Sequence, residues 1–352
     1  MRPVELQIED VAFGGKGVGR TEGKVVFVPY TIAGERVAIR ITREKKQFAE
    51  AELAAVLEAS PERTTPKCPY FGRCGGCSYQ HMKYKHQLQV KQKQVENALR
   101  RIGRLNTPVQ TIVSSPQEYG YRNRITVHAD GGRVGYYRRD VHELIDVKHC
   151  PIAAPEVNQA LTELRSRAPR DGHYTLRARS GPRVFAQTND GAAEALAQIV
   201  ERLLPTGHHL LVDAYCGSGF FTKRLAARFE RVVGIEWDRL AVATAEQNAG
   251  ANETYIAGDA DLEVNRALAG VELGTTSAIV DPPATGLSAG TRNALLDHPV
   301  HTLVYVSCNP ATLARDLAVL QAQFTLLSAT PLDMFPQTAE IECVAHLCSK
   351  AD

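Results

Sequence analysis

No stretch of eighteen apolar residues runs uninterrupted anywhere in the sequence, which leaves no ordinary membrane-spanning helix. The opening residues, Met1-Arg2-Pro3-Val4-Glu5, form no apolar h-region, so no secretory signal is expected and the expected location is cytoplasmic. Long internal repeats and low-complexity tracts are missing as well, so the chain reads as folded domains. In that setting eight cysteines are better read as thiols or metal ligands than as disulfides.

What is present is ordinary in bulk and uneven in distribution. The 352 residues are 44% hydrophobic and 23% charged, a globular composition with room for two or three domains. The net charge of +2 conceals 14 Lys/Arg against 6 Asp/Glu in residues 68–150, and 16 against 23 in residues 151–352. The middle of the chain is suited to a polyanion, with a merely solvated basic surface as the alternative. Its arginines are interleaved with aromatics (Tyr119, Tyr121, Arg122, Arg124, Tyr136, Tyr137, Arg138, Arg139), a mixture that fits phosphate contact with base stacking.

Residues 1–58 read as short strands at Val4–Ile8, Val25–Pro29, Arg36–Thr42 and Phe48–Val56, separated by glycine turns, hence a small β-barrel. Pro61, Pro66 and Cys68 mark a boundary. From Lys83 to Gly103 the spacing predicts a helix with Tyr84, Leu88, Val95, Leu99 and Ile102 on one stripe and its lysines largely off it. Residues 112–185 alternate in β fashion, with a hairpin turn at Asp130-Gly131-Gly132. Beyond Ala192, strands alternate with helices, which predicts a mostly parallel sheet covered on both faces. Its strands are expected at Leu210–Tyr215, Val232–Glu236, Tyr255–Gly258, Ala278–Asp281, Leu303–Val306, Thr325–Leu327 and Cys343–Leu347.

Asp213-Ala214-Tyr215-Cys216-Gly217-Ser218-Gly219 closes the first of these strands and opens a helix, where glycine lets backbone approach a ligand. Glu236 ends the next strand, placed to hold ribose hydroxyls, and Asp259 follows the third, placed to meet an adenine amino group. A dinucleotide site is the competing reading, but Thr222 stands where its third glycine belongs, and S-adenosylmethionine is favoured. Asp281-Pro282-Pro283 ends the fourth strand; it is either a rigid turn or an acid beside a nucleobase, able to accept from uracil N3–H. Cys68-x5-Cys74-x2-Cys77, joined by Cys150, can hold zinc or an iron–sulfur cluster, with His81, His142 and His149 as substitute ligands.

Cys308, in Val306-Ser307-Cys308-Asn309-Pro310, ends an apolar strand at the edge where open α/β sheets bind ligands. It is either a small packing residue or a nucleophile. The nucleophile reading narrows the chemistry, because an amine or hydroxyl acceptor needs no thiol, whereas C5 of a pyrimidine does. Pro336-Gln337-Thr338-Ala339-Glu340-Ile341-Glu342 leads into the last strand, and on an extended chain its two carboxylates share a face, with Asp333 nearby.

Taken in order, these motifs, with Phe185-Ala186-Gln187-Thr188-Asn189, make the chain resemble the RNA uracil-C5 methyltransferases. The likeness is to the subgroup with a TRAM barrel and an iron–sulfur cluster, most like the bacterial 23S rRNA enzymes. It implies a multidomain α/β protein: a TRAM barrel over 1–58, an α+β iron–sulfur and RNA-binding domain over 59–185, and a Rossmann-like methyltransferase domain with a seven-stranded mixed sheet over 186–352. The helix at 83–103 is expected to pack on the last of these. The resemblance implies a [4Fe–4S] cluster on Cys68, Cys74, Cys77 and Cys150. It implies S-adenosylmethionine held by Gln187, Asp213, Tyr215, Gly217, Gly219, Glu236, Asp259 and Asp281, with Cys308 the nucleophile and Glu342 the base. Two departures stand out: Ala284 replaces the usual Arg after the double proline, and Glu340 replaces the usual His two before the base. The expected partner is RNA, large-subunit rRNA ahead of a tRNA T-loop, bound by a monomer. The rival from another class is a non-catalytic iron–sulfur RNA-binding protein, against which the filled Cys308, Glu342 and Asp213 positions argue.

Overall fold

The computed structural model describes residues 3–139, 141–178 and 187–351. By contacts the chain forms two units. The first holds Met1–Gln94, Ser115–Ser180 and Phe335–Glu340, and the second holds Val95–Ser114, Gly181–Met334 and Ile341–Asp352.

In the first unit, β1 (Val4–Val11), β2 (Lys16–Thr21), β3 (Lys24–Pro29), β4 (Arg36–Glu44) and β5 (Phe48–Glu58) close a barrel in the order β1-β2-β3-β5-β4. Period-two side chains fill it: Leu6, Ile8, Val26, Val28, Val37, Ile39, Ala49 and Ala51 form its core. β2 was not among the expected strands, because Gly17 and Gly19 give it a turn-like composition. Here the glycines serve close approach: a Cβ at Gly17 would lie 2.0 Å from Thr31 Oγ1, and one at Gly19 2.4 Å from the Gln7 carbonyl.

Helix α1 (Tyr84–Ala98) continues into a π-type turn over Leu99–Gly103, and its residues up to Gln94 belong to the first unit. Lys83, Lys85 and Lys93 are exposed in keeping with the expectation, but Lys91 is buried, together with Gln87, Val90 and Gln94. The polar ones are buried because they hold backbone. Gln87 exchanges two hydrogen bonds with Gln337, and Lys91 Nζ donates to the Phe335 carbonyl at 3.0 Å.

A four-stranded antiparallel sheet in the order β8-β7-β6-β9 completes this unit, built from β6 (Arg124–Asp130), β7 (Arg133–Tyr137), β8 (Leu144–Asp146) and β9 (Gly172–Arg177). Gly131 (φ 56°) and Gly132 (φ 78°) make the expected tight hairpin between β6 and β7. One face of the sheet (Ile125, Val127, Ala129, Val134) packs on Val157 and Leu161 of α2 (Pro155–Ser166). That helix interrupts the stretch read as continuous β alternation; Pro155 in its first turn fixes its start. The rest of that stretch, at residues 179–185, lies outside the described residues.

The second unit carries α3 (Asp190–Leu203), β10 (Leu210–Ala214), α4 (Phe220–Leu225), β11 (Arg231–Glu236), α5 (Arg239–Glu246), β12 (Glu253–Ala257) and α6 (Ala260–Leu268). β13 (Thr276–Val280), α7 (Ala289–Asp297), β14 (Thr302–Ser307), α8 (Pro310–Leu320), β15 (Phe324–Leu332) and β16 (Glu342–Ser349) follow. The sheet runs β12-β11-β10-β13-β14-β16-β15, parallel from β12 to β14, with β16 antiparallel to both neighbours. β10, β13 and β14 are buried along their whole length, as continuous apolar central strands require. Val95, Leu99 and Leu105 join Leu313 and Leu317 of α8 in this core. Among the described residues, no helix is long and apolar enough to cross a membrane.

Candidate active site

The parallel strands all end on one edge of the sheet, and the register sets out what lies there. Tyr215 follows β10, Glu236 ends β11 and Asp259 follows β12; Asp281 follows β13 and Cys308 follows β14. With strands about 4.8 Å apart, about 10 Å separates the β10 end from the β14 end.

On the donor side, Asp213 is fully buried, and its Oδ2 accepts from the Thr222 amide (3.0 Å) and hydroxyl (2.5 Å). Its Oδ1 is buried with no hydrogen-bond partner. Burial, offset by the Thr222 contacts and reinforced by Glu236, pushes its pKa up to about 7. An orphaned carboxylate oxygen of this kind suits a ligand cation, and the α-ammonium of S-adenosylmethionine is one. Thr222, which breaks the dinucleotide fingerprint, thus has a structural task.

The loop after β10 is built for backbone approach: Gly217 (φ 55°) and Gly219 (φ 86°) are left-handed, and so is Tyr215 (φ 64°), where a side chain is strained. Glu236 accepts from Gly217 N (3.0 Å) and Asp238 N (2.9 Å), leaving lone pairs for ribose hydroxyls. Asp259 caps α6 by accepting from Asp261 N. A cavity of about 630 Å³ lies beyond these ends, lined by Trp237, Asp238, Arg239, Ala257 and Gly258. Gln187 is half-buried, and Asn189 caps α3 and donates to the Met334 carbonyl at 3.0 Å. Phe185 and Ala186 of the same motif lie outside the described residues.

One network was not anticipated. Tyr215 Oη lies 3.1 Å from Thr291 Oγ1, which donates to Asp261 Oδ1 at 2.8 Å, and Ser288 also donates to Asp261. The signal available in the sequence was Ser288-x-x-Thr291, an N-capping pair for α7.

On the acceptor side, Ser307, the last residue of β14, pairs with Cys343 of β16; Cys308 follows the one and Glu342 precedes the other in the chain. Glu342 is paired with Leu332 of β15 and is buried, whereas Cys308 is partly open. Glu340 is exposed whereas Glu342 is buried, so the two carboxylates have different surroundings. A turn at Gln337 (φ 70°) interrupts the extended run before both of them. Asp281 is partly buried, with a pKa raised by burial and by the charge on Asp213. Asp333, at the end of β15, is buried.

The double-proline loop is tied to α8. Asn309 Nδ2 and Thr312 Oγ1 donate to the Ala284 carbonyl (3.2 and 3.1 Å), and Arg315 donates to the Thr285 carbonyl at 2.9 Å. Buried Asp316 accepts from Arg292, Arg315, Tyr305 and Leu287 N. A guanidinium therefore does meet this loop, although residue 284 is alanine.

In the first unit, Cys68, Cys74, Cys77 and Cys150 are free thiols and electrostatic neighbours: Cys150 raises each of the other three. Burial is the largest cause, with Cys74 pushed to about 11 and Cys77 to about 12. Gly75 between them donates to the Tyr137 carbonyl at 3.1 Å, and a Cβ there would lie 2.9 Å from the same oxygen. Among the described residues, no three His, Cys, Asp or Glu side chains gather closely enough to hold a single metal ion.

A parallel sheet with one reversed strand, a glycine loop and a line of acids on its carboxyl edge define an S-adenosylmethionine-dependent methyltransferase fold. The tRNA (Uracil-5-)-methyltransferase family matches residues 170–350, and a TRAM domain matches residues 2–54. A 23S rRNA (uracil(1939)-C(5))-methyltransferase, RlmD, of Acidithiobacillus ferrooxidans is 32% identical, over 98% of this chain and 97% of its own. An RNA methyltransferase of Bdellovibrio bacteriovorus is 31% identical, over 98% and 94%. The crystal structure of the Pyrococcus abyssi tRNA (uracil-54, C5)-methyltransferase superposes with a TM-score of 0.73 at 23% identity, covering 98% of this chain and all of that one, which supports the fold. The chain belongs to the RNA (uracil-5-)-methyltransferase family and is an S-adenosylmethionine-dependent enzyme acting on uracil C5 in RNA.

Proposed function

We propose that this enzyme methylates a uridine of 23S rRNA through a covalent Cys308–uracil intermediate. The observation that supports the mechanism is the β14–β16 register, whose last pair, Ser307 with Cys343, adjoins both Cys308 and Glu342 in the chain. The Cys308 thiolate adds to C6, forming an Sγ–C6 bond and moving the double-bond electrons toward the C4 carbonyl, so that C5 becomes nucleophilic. S-adenosylmethionine, when bound, supplies the sulfonium methyl that C5 takes. Glu342 then removes the C5 proton, the C5–C6 double bond re-forms, and the Sγ–C6 bond breaks to release the thiolate. Asp281 accepts from N3–H and holds the base in plane. Gln187, Asp213, Tyr215, Gly217, Gly219, Glu236, Asp259 and Asp281 bind the donor, with the unpartnered Asp213 Oδ1 supporting an ammonium contact.

Cys68, Cys74, Cys77 and Cys150 would hold a [4Fe–4S] cluster; their shared neighbourhood and freedom from disulfides support this reading. The step sequence above consumes no electron, so the group serves structure or RNA contact. We take the functional division of the chain as barrel (1–58), cluster-bearing RNA domain (59–185) and catalytic domain (186–352). The preference for 23S rRNA rests on the Acidithiobacillus relative. The test is to map 5-methyluridine in rRNA and tRNA from cells with and without this gene. Loss of one 23S site is expected; loss only from the tRNA T-loop would replace the assignment.

A further inference from the structure

The four-stranded sheet of the first unit has one face closed by α2; among the described residues the other face is open and carries arginine, threonine and histidine, with Asp130 at its end. Its rows are read from the register: Arg124 beside Arg177, Thr126 beside Thr175, and His128 beside His173. Thr126, Thr175 and His173 are exposed, while Arg124, Arg177 and His128 are half-buried. Gly135, opposite His128 on β7, adds no side chain, and the next outward residue of that strand is Tyr137. The rings form a run: His128 to His173 at 5.7 Å, His128 to Tyr137 at 4.5 Å, and Tyr137 stacked on His142 at 4.0 Å.

At the other end the charges crowd. The pKa of Arg124 is lowered, first by burial and then by repulsion from Arg177 and Arg122. A ring row next to an arginine row, on the open face of an antiparallel sheet, matches what a single-stranded RNA presents: bases to stack and phosphates to pair. A duplex hides its base faces and would leave the ring row unused.

We infer that the open face of β9-β6-β7 is a platform for a single-stranded segment of the substrate RNA. Bases stack on Tyr137, His128 and His173, and phosphates meet Arg124 and Arg177. The inference rests on the reading of the chain as an RNA methyltransferase and adds a surface on which single-stranded RNA is held.

The test uses the full chain, purified anaerobically, with a uridine-containing single-stranded oligonucleotide of about ten nucleotides. R124E/R177E should weaken binding at least tenfold and flatten the dependence of log K on log salt by about 1.4, two phosphate contacts at about 0.7 each. Tyr137→Ala should weaken binding roughly tenfold through lost stacking. Both variants should raise KM for RNA with kcat within twofold and keep normal S-adenosylhomocysteine binding, and R124K should restore most of the affinity. RNA affinity and salt slope unchanged in variants that still bind S-adenosylhomocysteine would overturn the platform. If the variants fail to fold, crosslinking 4-thiouridine RNA to the wild type decides: adducts on β6, β7 or β9 support it, and adducts only elsewhere overturn it. A wild type that crosslinks here but forms no 5-methyluridine would sink the methylation reading and leave the platform standing.

Discussion

Donor binding should expel a proton from the protein at pH 6. Asp213 is fully buried, its Oδ1 has no partner, and its pKa sits at about 7. In the donor-free enzyme about nine-tenths of Asp213 is therefore protonated at pH 6 and about one-tenth at pH 8. An ammonium seated against Oδ1 favours the carboxylate and drives that proton off. Calorimetric titration with S-adenosylhomocysteine, in buffers of different ionisation enthalpy, should record release of about 0.9 proton per ligand at pH 6 and about 0.1 at pH 8. Affinity should follow the same curve and be about tenfold tighter at pH 8 than at pH 6. The donor-free protein runs the other way. A carboxyl raised from 3.8 to about 7 is protonated in the folded chain where the unfolded chain has already shed its proton. Stability from this group is fully present below about pH 4 and is lost as pH rises through about 7, a change on the order of 4 kcal/mol. Asp213→Asn should abolish the proton release and flatten that dependence. Absence of proton release at pH 6 in the wild type, or its persistence in Asp213→Asn, would refute the reasoning.

Cys308→Ala should give neither methyl transfer nor a covalent RNA adduct. Glu342→Gln should stall as a methylated adduct, visible as a slow band on a denaturing gel. Glu340→Gln, at an exposed position, should turn over normally; the opposite pattern would move the base to Glu340. Cys150→Ser should lose iron and sulfide, each near four per chain in the wild type, and stoichiometric zinc in colourless active protein would remove the cluster. Thr291→Val should weaken S-adenosylhomocysteine about five- to tenfold with the fold intact, since it removes the hydroxyl that positions Tyr215 at about 1 kcal/mol per hydrogen bond. Unchanged affinity would show that Tyr215 needs no such support.

The catalytic sheet was legible because its central strands are unbroken apolar runs that end on chemically distinct residues. Leu210–Ala214, Thr276–Val280 and Thr302–Ser307 each lie within two residues of the expected bounds. What the sequence hid has physical causes. Helices α6 and α7 are short, and beside the apolar anchors Val264, Leu268, Ala294 and Leu295 they are joined by polar contacts: Asp261, Ser288 and Thr291 bond to one another across the pair. Lys91 was read as solvent-facing because lysine usually is, yet a backbone carbonyl of the distant Phe335 draws it inside. Glu342 was assigned as the base from its place in a motif, but its environment was not legible there: Glu342 is buried while Glu340, two residues earlier, faces water.

The position of β16 also dictates an order of events during synthesis. β10 to β14 come off the ribosome as a parallel set that already carries the donor loop, Asp281 and Cys308. β15 follows, yet it does not pair with β14; the two are bridged only by β16, which is made after both. Until that strand inserts, β14 and β15 each present an open edge, and Cys308, the proposed nucleophile, stands without Glu342, its proposed base. On the proposed mechanism, the strand that completes the sheet also delivers the base.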